Sequence, residues 1–253
     1  MTSSSFYNAV LIGWLVLAAL TVPYLLFVAA PYGRHMREGW GPKIENRLGW
    51  ILMELPSPLA MVLFFILGTH SQGIAPAVFL GMWLLHYINR SIIYPLRIRG
   101  KKKYMPVVIM GSAIFFNVTN GFLQGRYVFD LSGGYSAQWL HDPCFLVGAA
   151  LFLAGFAANY HSDSILRNLR KPGETGYKIP KGGLFRFVTS PNYFAEIIEW
   201  TGWAVATWSL PGLAFVLWTA ANLVPRALKH HKWCQEKFSD YPVERKAIIP
   251  FVL

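Results

Sequence analysis

The sequence is poor in several things that most chains of its size possess. It has two cysteines in 253 residues, Cys144 and Cys234, which excludes a disulfide-stapled scaffold. Only 14% of its residues are charged, against about 25% for a typical soluble domain. Acidic side chains are especially scarce, with 12 Asp and Glu against 23 Lys and Arg and a formal net charge of +11. No G-x-G-x-x-G follows a strand-like run and there is no Walker loop, so any nucleotide site here is neither Rossmann nor P-loop. What the chain does have is 54% hydrophobic and 16% aromatic residues, which excludes disorder and leaves too few charges to cover a water-facing surface.

Apolar runs of about 18 or more residues read as membrane spans. Seven are present, at about 9–30, 51–69, 75–96, 105–123, 144–160, 192–208 and 211–228. The first lacks a basic n-region, since residues 1–8 hold no Lys or Arg, and it is read as a retained helix instead of a cleaved signal. The basic residues alternate by loop. Four lie in 31–50 (Arg34, Arg37, Lys43, Arg47), five in 97–104, six in 161–190 and six from Arg226 onward. The intervening loops hold one, Arg126. The positive-inside rule then places the N-terminus outside and the C-terminus in the cytosol, which demands an odd number of spans. The expected fold is an all-α polytopic membrane protein with seven transmembrane helices, treated as one domain over residues 1–253. The two cysteines then face opposite sides and do not pair. The basic segments are short, separate and close to the membrane, which argues against nucleic acid and leaves anionic lipid or a nucleotide as polyanionic partners. No obligate protein partner is evident.

Several ionisable residues sit inside apolar runs, where charge is costly and usually marks function. Glu54 lies in Met53-Glu54-Leu55-Pro56-Ser57-Pro58, where the prolines should kink the helix and free backbone carbonyls. Tyr87, Arg90, Tyr94 and Arg97 form one helical stripe, facing either a wet cavity or a neighbouring helix. Asn192, Glu196 and Glu199 share a face, with Arg226 and His230 available across the tight turn at 209–212. Asn159, Asp163 and Arg167 are spaced i, i+4, i+8, and Arg170 follows. Asn and Asp suit ribose hydroxyls and Arg suits phosphate, though an ordinary solvated amphipathic helix fits this spacing as well. The seven scattered histidines lack the spacing of a metal site.

Longer stretches carry a family resemblance. They are Glu54-Leu55-Pro56-Ser57, His86-Tyr87, the run 120–125 (NGFLQG), the run from His161 through Glu174 and Tyr177 to Phe185, Glu196-Ile197-Ile198-Glu199-Trp200, the run 206–211 (ATWSLP), and the end from Asp240-Tyr241-Pro242 to Phe251. Together they resemble the steroid 5α-reductases (3-oxo-5α-steroid 4-dehydrogenases, most like the type 2 enzyme) from about Gly33 onward. The resemblance implies a seven-helix membrane oxidoreductase. Such an enzyme uses NADPH to reduce the Δ4 double bond of a 3-oxo-Δ4-steroid to the 5α product. It lies in the endoplasmic reticulum of a eukaryote or the inner membrane of a bacterium. It implies Glu54 and Tyr87 as the catalytic pair at the 3-oxo group. Arg90, Tyr94, Asn159, Asp163, Arg170, Lys178, Asn192, Glu196, Arg226 and His230 are implied at or beside the cofactor. The sequence departs from the family at Met53, where Gln is expected, and at Lys101 and Lys178, where Arg is expected. The first departure suggests a simpler polar network at the carbonyl, and the lysines would meet phosphate as point charges. The rival readings are a membrane methyltransferase of the isoprenylcysteine carboxyl type and a seven-span transporter or receptor.

Overall fold

The computed structural model describes residues 3–28, 38–98, 103–170, 174 and 176–253. The basic residues Arg34, Arg37, Arg99, Lys101, Lys102 and Lys171 lie outside the described residues. The expectation of an all-α protein is met. The chain runs through α1 (Ser3–Phe27), β1 (Lys43–Glu45), α2 (Asn46–Glu54), α3 (Pro56–Leu67) and α4 (Ile74–Ile88), then a π-helical segment Asn89–Ile93 and the short α5 (Tyr94–Leu96). It continues through β2 (Tyr104–Pro106), α6 (Val107–Arg126) with a π segment Tyr127–Leu131, α7 (Pro143–Asn168), α8 (Pro191–Thr207) and α9 (Leu210–Lys237). The two strands pair antiparallel as a three-residue ribbon.

Helix covers each of the seven apolar runs, and four helices are long and apolar enough to cross a membrane. These are Ser4–Phe27, Asn46–Leu67 (α2 and α3 together), Val107–Leu131 and Pro143–Asn168. They mark the chain as a membrane protein. Many of its large apolar side chains face outward, among them Phe27, Ile66, Phe115 and Leu153, which suits a lipid-facing surface.

The chain divides into two compact units: Met1–Leu11 with Ala30–Leu146, and Ile12–Ala29 with Val147–Leu253. In the first unit the double proline acts as expected. Pro56 and Pro58 cannot donate to the carbonyls of Leu52 and Glu54, and the helix breaks at Leu55. α6 packs closely on α3. A Cβ on Gly121 would lie 2.8 Å from Ala60 Cβ, and one on Gly125 would lie 2.8 Å from Phe64. Two small residues one turn apart therefore let the helices approach, as in other membrane helix pairs. Tyr7 of α1 donates to Leu123 O at 2.8 Å.

In the second unit the same device joins α7 to α8. Gly148 meets the backbone of Ala206, Gly155 that of Glu199, and Gly202 that of Phe152. α8 turns into α9 through Trp208 at φ +45°. Ser209 then caps α9, its Oγ accepting from Gly212 N at 3.1 Å. Trp218 Nε1 donates to Trp14 O at 2.8 Å, with the two rings 4.7 Å apart. The C-terminal segment lies along the approach to α8. Thr189 N donates to Lys246 O at 2.8 Å, Lys246 N to Phe187 O at 2.9 Å, and Ser190 N to Ala247 O at 3.1 Å. This fixes Ser190 immediately before the first turn of α8.

Candidate functional site

The ionisable and polar residues expected at the site fall into two clusters, one in each unit.

In the first unit Glu54 closes α2 at the proline break, with its side chain 14% exposed. Arg90 stands on the π segment with its Nε 4.0 Å from Glu54 Oε1. Its guanidinium lies against two rings, 4.5 Å from the Trp50 centroid and 5.1 Å from that of Tyr94. The rings themselves meet at 5.3 Å. Tyr87 ends the regular part of α4, buried, with its ring stacked on Trp83 at 5.1 Å. Its hydroxyl donates to Asn117 Oδ1 at 3.4 Å. Asn117 Nδ2 in turn donates to Glu54 Oε2 at 3.1 Å and to Met53 O at 2.7 Å. Glu54, Tyr87, Arg90 and Tyr94 are thus brought together, and Asn117 joins two of them.

Asn117 is the residue that sequence reasoning missed. Its signal was present in the stripe Asn117, Asn120 and Gln124 at i, i+3 and i+7, all buried within an apolar helix. Met53 suggested a simpler network beside Glu54. The structure instead supplies an amide from α6 at that place.

In the second unit α7 and α8 contribute the polar side chains. Asn159 Nδ2 donates to Asn192 O at 3.0 Å and lies 3.5 Å from Glu196 Oε2. Asn192 Nδ2 donates to Asp163 Oδ1 at 3.2 Å. Asn159 and Asp163 are buried, while Asn192 and Glu196 are partly exposed. Four of the expected residues therefore form one network, built on the i, i+4 spacing of both helices. Ser190 adds His230, with Oγ and Nδ1 3.4 Å apart, and Arg226 lies half-buried one turn earlier on α9. Arg170 and Lys178 engage the segment between α7 and α8. Arg170 Nη1 donates to Gly176 O at 3.1 Å, and Lys178 pairs with Glu174 at 2.5 Å.

Thr189, next to this network, ties three elements together. Its hydroxyl lies 2.6 Å from both His231 Nδ1 and Tyr241 Oη, and 3.2 Å from Lys246 O. Burial, followed by the charge of Lys246, lowers the pKa of His231, and burial raises that of Tyr241. Both shifts favour the neutral side chains near pH 7. Arg245 Nη2 donates to Pro180 O at 2.9 Å and anchors the turn preceding Gly182 and Gly183, both at positive φ.

The sequence profile described as 3-oxo-5-alpha-steroid 4-dehydrogenase matches residues 103–253. The chain belongs to this family. It is 44% identical over 239 residues to the 3-oxo-5-alpha-steroid 4-dehydrogenase 1 of Rattus norvegicus, covering 94% of this chain and 92% of that protein. It is 44% identical over 241 residues to the steroid 5-alpha-reductase DET2 of Gossypium hirsutum (94% and 93% covered), and 40% identical over 260 residues to that of Arabidopsis thaliana (100% and 98%). The family is one of oxidoreductases. Membership of this family favours the oxidoreductase reading over the methyltransferase, transporter and receptor alternatives.

Proposed function

We propose that the protein reduces the Δ4 double bond of a 3-oxo-Δ4-steroid to the 5α-dihydrosteroid with NADPH, as a seven-span membrane enzyme with its N-terminus outside and its C-terminus in the cytosol. The observation that carries this reading, beside family membership, is the hydrogen-bonded chain Tyr87–Asn117–Glu54 within apolar helices, with Tyr87 and Asn117 buried and Glu54 partly so. Reduction of an enone adds a hydride at the carbon β to the carbonyl and a proton at the carbon between, and negative charge builds on the carbonyl oxygen as the hydride arrives. A phenol held in a low-dielectric setting stabilises that oxygen as a hydrogen-bond and proton donor. Tyr87 takes this role, and Glu54 orients the polar groups around it.

NADPH supplies the hydride. The donor set of the second unit suits such a molecule. Asn159, Asp163, Asn192 and Glu196 offer acceptors and amides for ribose hydroxyls, and Arg170, Lys178, Arg226 and His230 offer cations for phosphates. Arg90 and Tyr94, in the first unit, are implied beside the cofactor by the family resemblance, the first as a cation and the second as an aromatic face. The basic loops read as cytosolic are on the side where such a cofactor is found, and a steroid reaches the protein through the bilayer. The membrane is the endoplasmic reticulum in a eukaryote or the inner membrane in a bacterium.

The test is product analysis. Protein purified in detergent and given testosterone or progesterone with NADPH should yield 5α-dihydrosteroids by mass spectrometry, and should oxidise NADPH only when the enone is present. Tyr87→Phe and Glu54→Gln should each lose at least 100-fold in turnover, roughly the scale of general acid catalysis, while still binding NADPH. Near-normal activity of both variants would overturn the assigned proton donor. Saturable binding of S-adenosylmethionine without NADPH binding would overturn the reaction itself.

A further inference from the structure

We infer that Asn117 is a positioning residue that fixes the direction of the Tyr87 hydroxyl and holds the Glu54 carboxylate in place, an inference that rests on the reaction proposed above. Asn117 comes from α6, an element that carries neither Glu54 nor Tyr87. It is 3% exposed and makes three hydrogen bonds that engage both faces of its amide. Two of them determine which way the amide points. Met53 O and an ionised Glu54 carboxylate are acceptors only, so the group facing them must be the NH2, which has two hydrogens for two acceptors. Flipping the amide would set its oxygen against a carbonyl and a carboxylate, all of them lacking a proton.

Two consequences follow for Tyr87. The amide oxygen is left facing the phenol, and an amide oxygen has no proton to give. The phenol is therefore the donor, with its O–H directed at the Asn117 oxygen. At 3.4 Å this bond is long for an O–H donor, where about 2.7–2.8 Å is usual. The bond from Asn117 thus orients the hydroxyl without itself being a strong tie, and a better acceptor can compete with it. The oxygen of an enone gaining negative charge is such an acceptor. Glu54, for its part, is held on one oxygen by Asn117 and faces Arg90 with the other.

The test uses two near-isosteric variants in the full-length protein. Asn117→Leu keeps the volume and loses all three hydrogen bonds. Asn117→Asp keeps the shape and an acceptor but has no donor for Met53 O or Glu54. Both should lower kcat for the enone at least tenfold, with KM for NADPH within twofold of the parent. Activity of Asn117→Asp should return as pH falls and its carboxyl takes up a proton, while the parent shows no such rise. A kcat within twofold of the parent in both variants, or a flat pH profile in Asn117→Asp, would overturn the inference. A second measurement does not depend on turnover. In a double-mutant cycle of Asn117→Leu with Tyr87→Phe, read by thermal unfolding in detergent, the two losses should be non-additive because both remove one shared bond. Additive losses would overturn the inference even if no steroid were reduced, whereas an inactive protein with non-additive losses would overturn the proposed reaction and leave the pairing standing.

Discussion

Arg90 shows how a single charge is accommodated in an apolar helix. Placing an Arg at membrane depth costs about 2.5–3.5 kcal/mol on insertion scales. Here the guanidinium finds the Glu54 carboxylate at 4.0 Å and two aromatic faces within about 5 Å, so charge pairing and ring quadrupoles both offset that cost. The sequence places Tyr94 on the same stripe as Arg90, and only the fold shows that Trp50 joins it against the cation. At the same scale, His231 carries a prediction about acid stability. Its folded pKa lies below the ordinary 6.5 because burial and then Lys246 disfavour the charged ring. The unfolded chain therefore takes up this proton first as pH falls. The sign is that stability is independent of this group above about pH 6.5 and declines as pH drops below it. Thermal unfolding of the protein in detergent between pH 7.5 and 5 should show that decline, and His231→Gln should make it shallower. An equally steep decline in the variant would place the acid sensitivity elsewhere.

Elements here are joined through small residues. Gly121 and Gly125 admit α3 to the surface of α6, and Gly148, Gly155 and Gly202 bring α7 and α8 into backbone contact. Gly121→Val should therefore force α3 and α6 apart, at a cost of about 1–3 kcal/mol for overpacking. Gly111→Ala, on the same helix but facing open space, should leave the thermal midpoint unchanged or slightly raised. Both changes raise helix propensity, so equal loss in the two variants would show that the close approach at Gly121 does not set the effect. The seven helical stretches were legible because each has a long apolar run, and the break after Glu54 was legible because proline lacks a donor. The π segment at Asn89–Ile93 was not. A slip from i−4 to i−5 hydrogen bonding leaves no mark in composition, yet it changes the register of Arg90 and Tyr94 relative to Tyr87. The polar network of Asn159, Asp163, Asn192 and Glu196 was legible in part, as two helical faces. Its pairing across α7 and α8 was not, because the contact depends on glycines that carry no polar signal. Asn117 was missed for a related reason, since one amide in an apolar helix looks the same whether it serves packing or a site.

At the scale of the whole chain, the distribution of charge makes its own prediction. Of 23 basic residues, 21 fall in alternate loops, and Arg126, alone in the others, is neutralised by Asp130 at 2.5 Å. The side read as outer thus holds one Lys or Arg against 21, and it is this count of basic residues, not the net charge, that orients a polytopic protein. The prediction concerns the two ends of the helices of the second unit. The turn at Ser209, between α8 and α9, should face outward, and Lys181, in the basic segment after α7, should face the cytosol. Replacing Cys144 and Cys234 with serine removes both native thiols and gives a background for single-cysteine labelling. In intact cells or sealed right-side-out vesicles, a membrane-impermeant maleimide should label a cysteine at the exposed neighbour of Ser209, Leu210→Cys, and spare Lys181→Cys until the membrane is permeabilised. The reverse pattern would invert the topology and place the basic loops on the side away from cytosolic NADPH. Labelling of both sites in sealed vesicles would mean an even number of crossings between residues 181 and 210, and α8 would then lie in or on the membrane instead of spanning it.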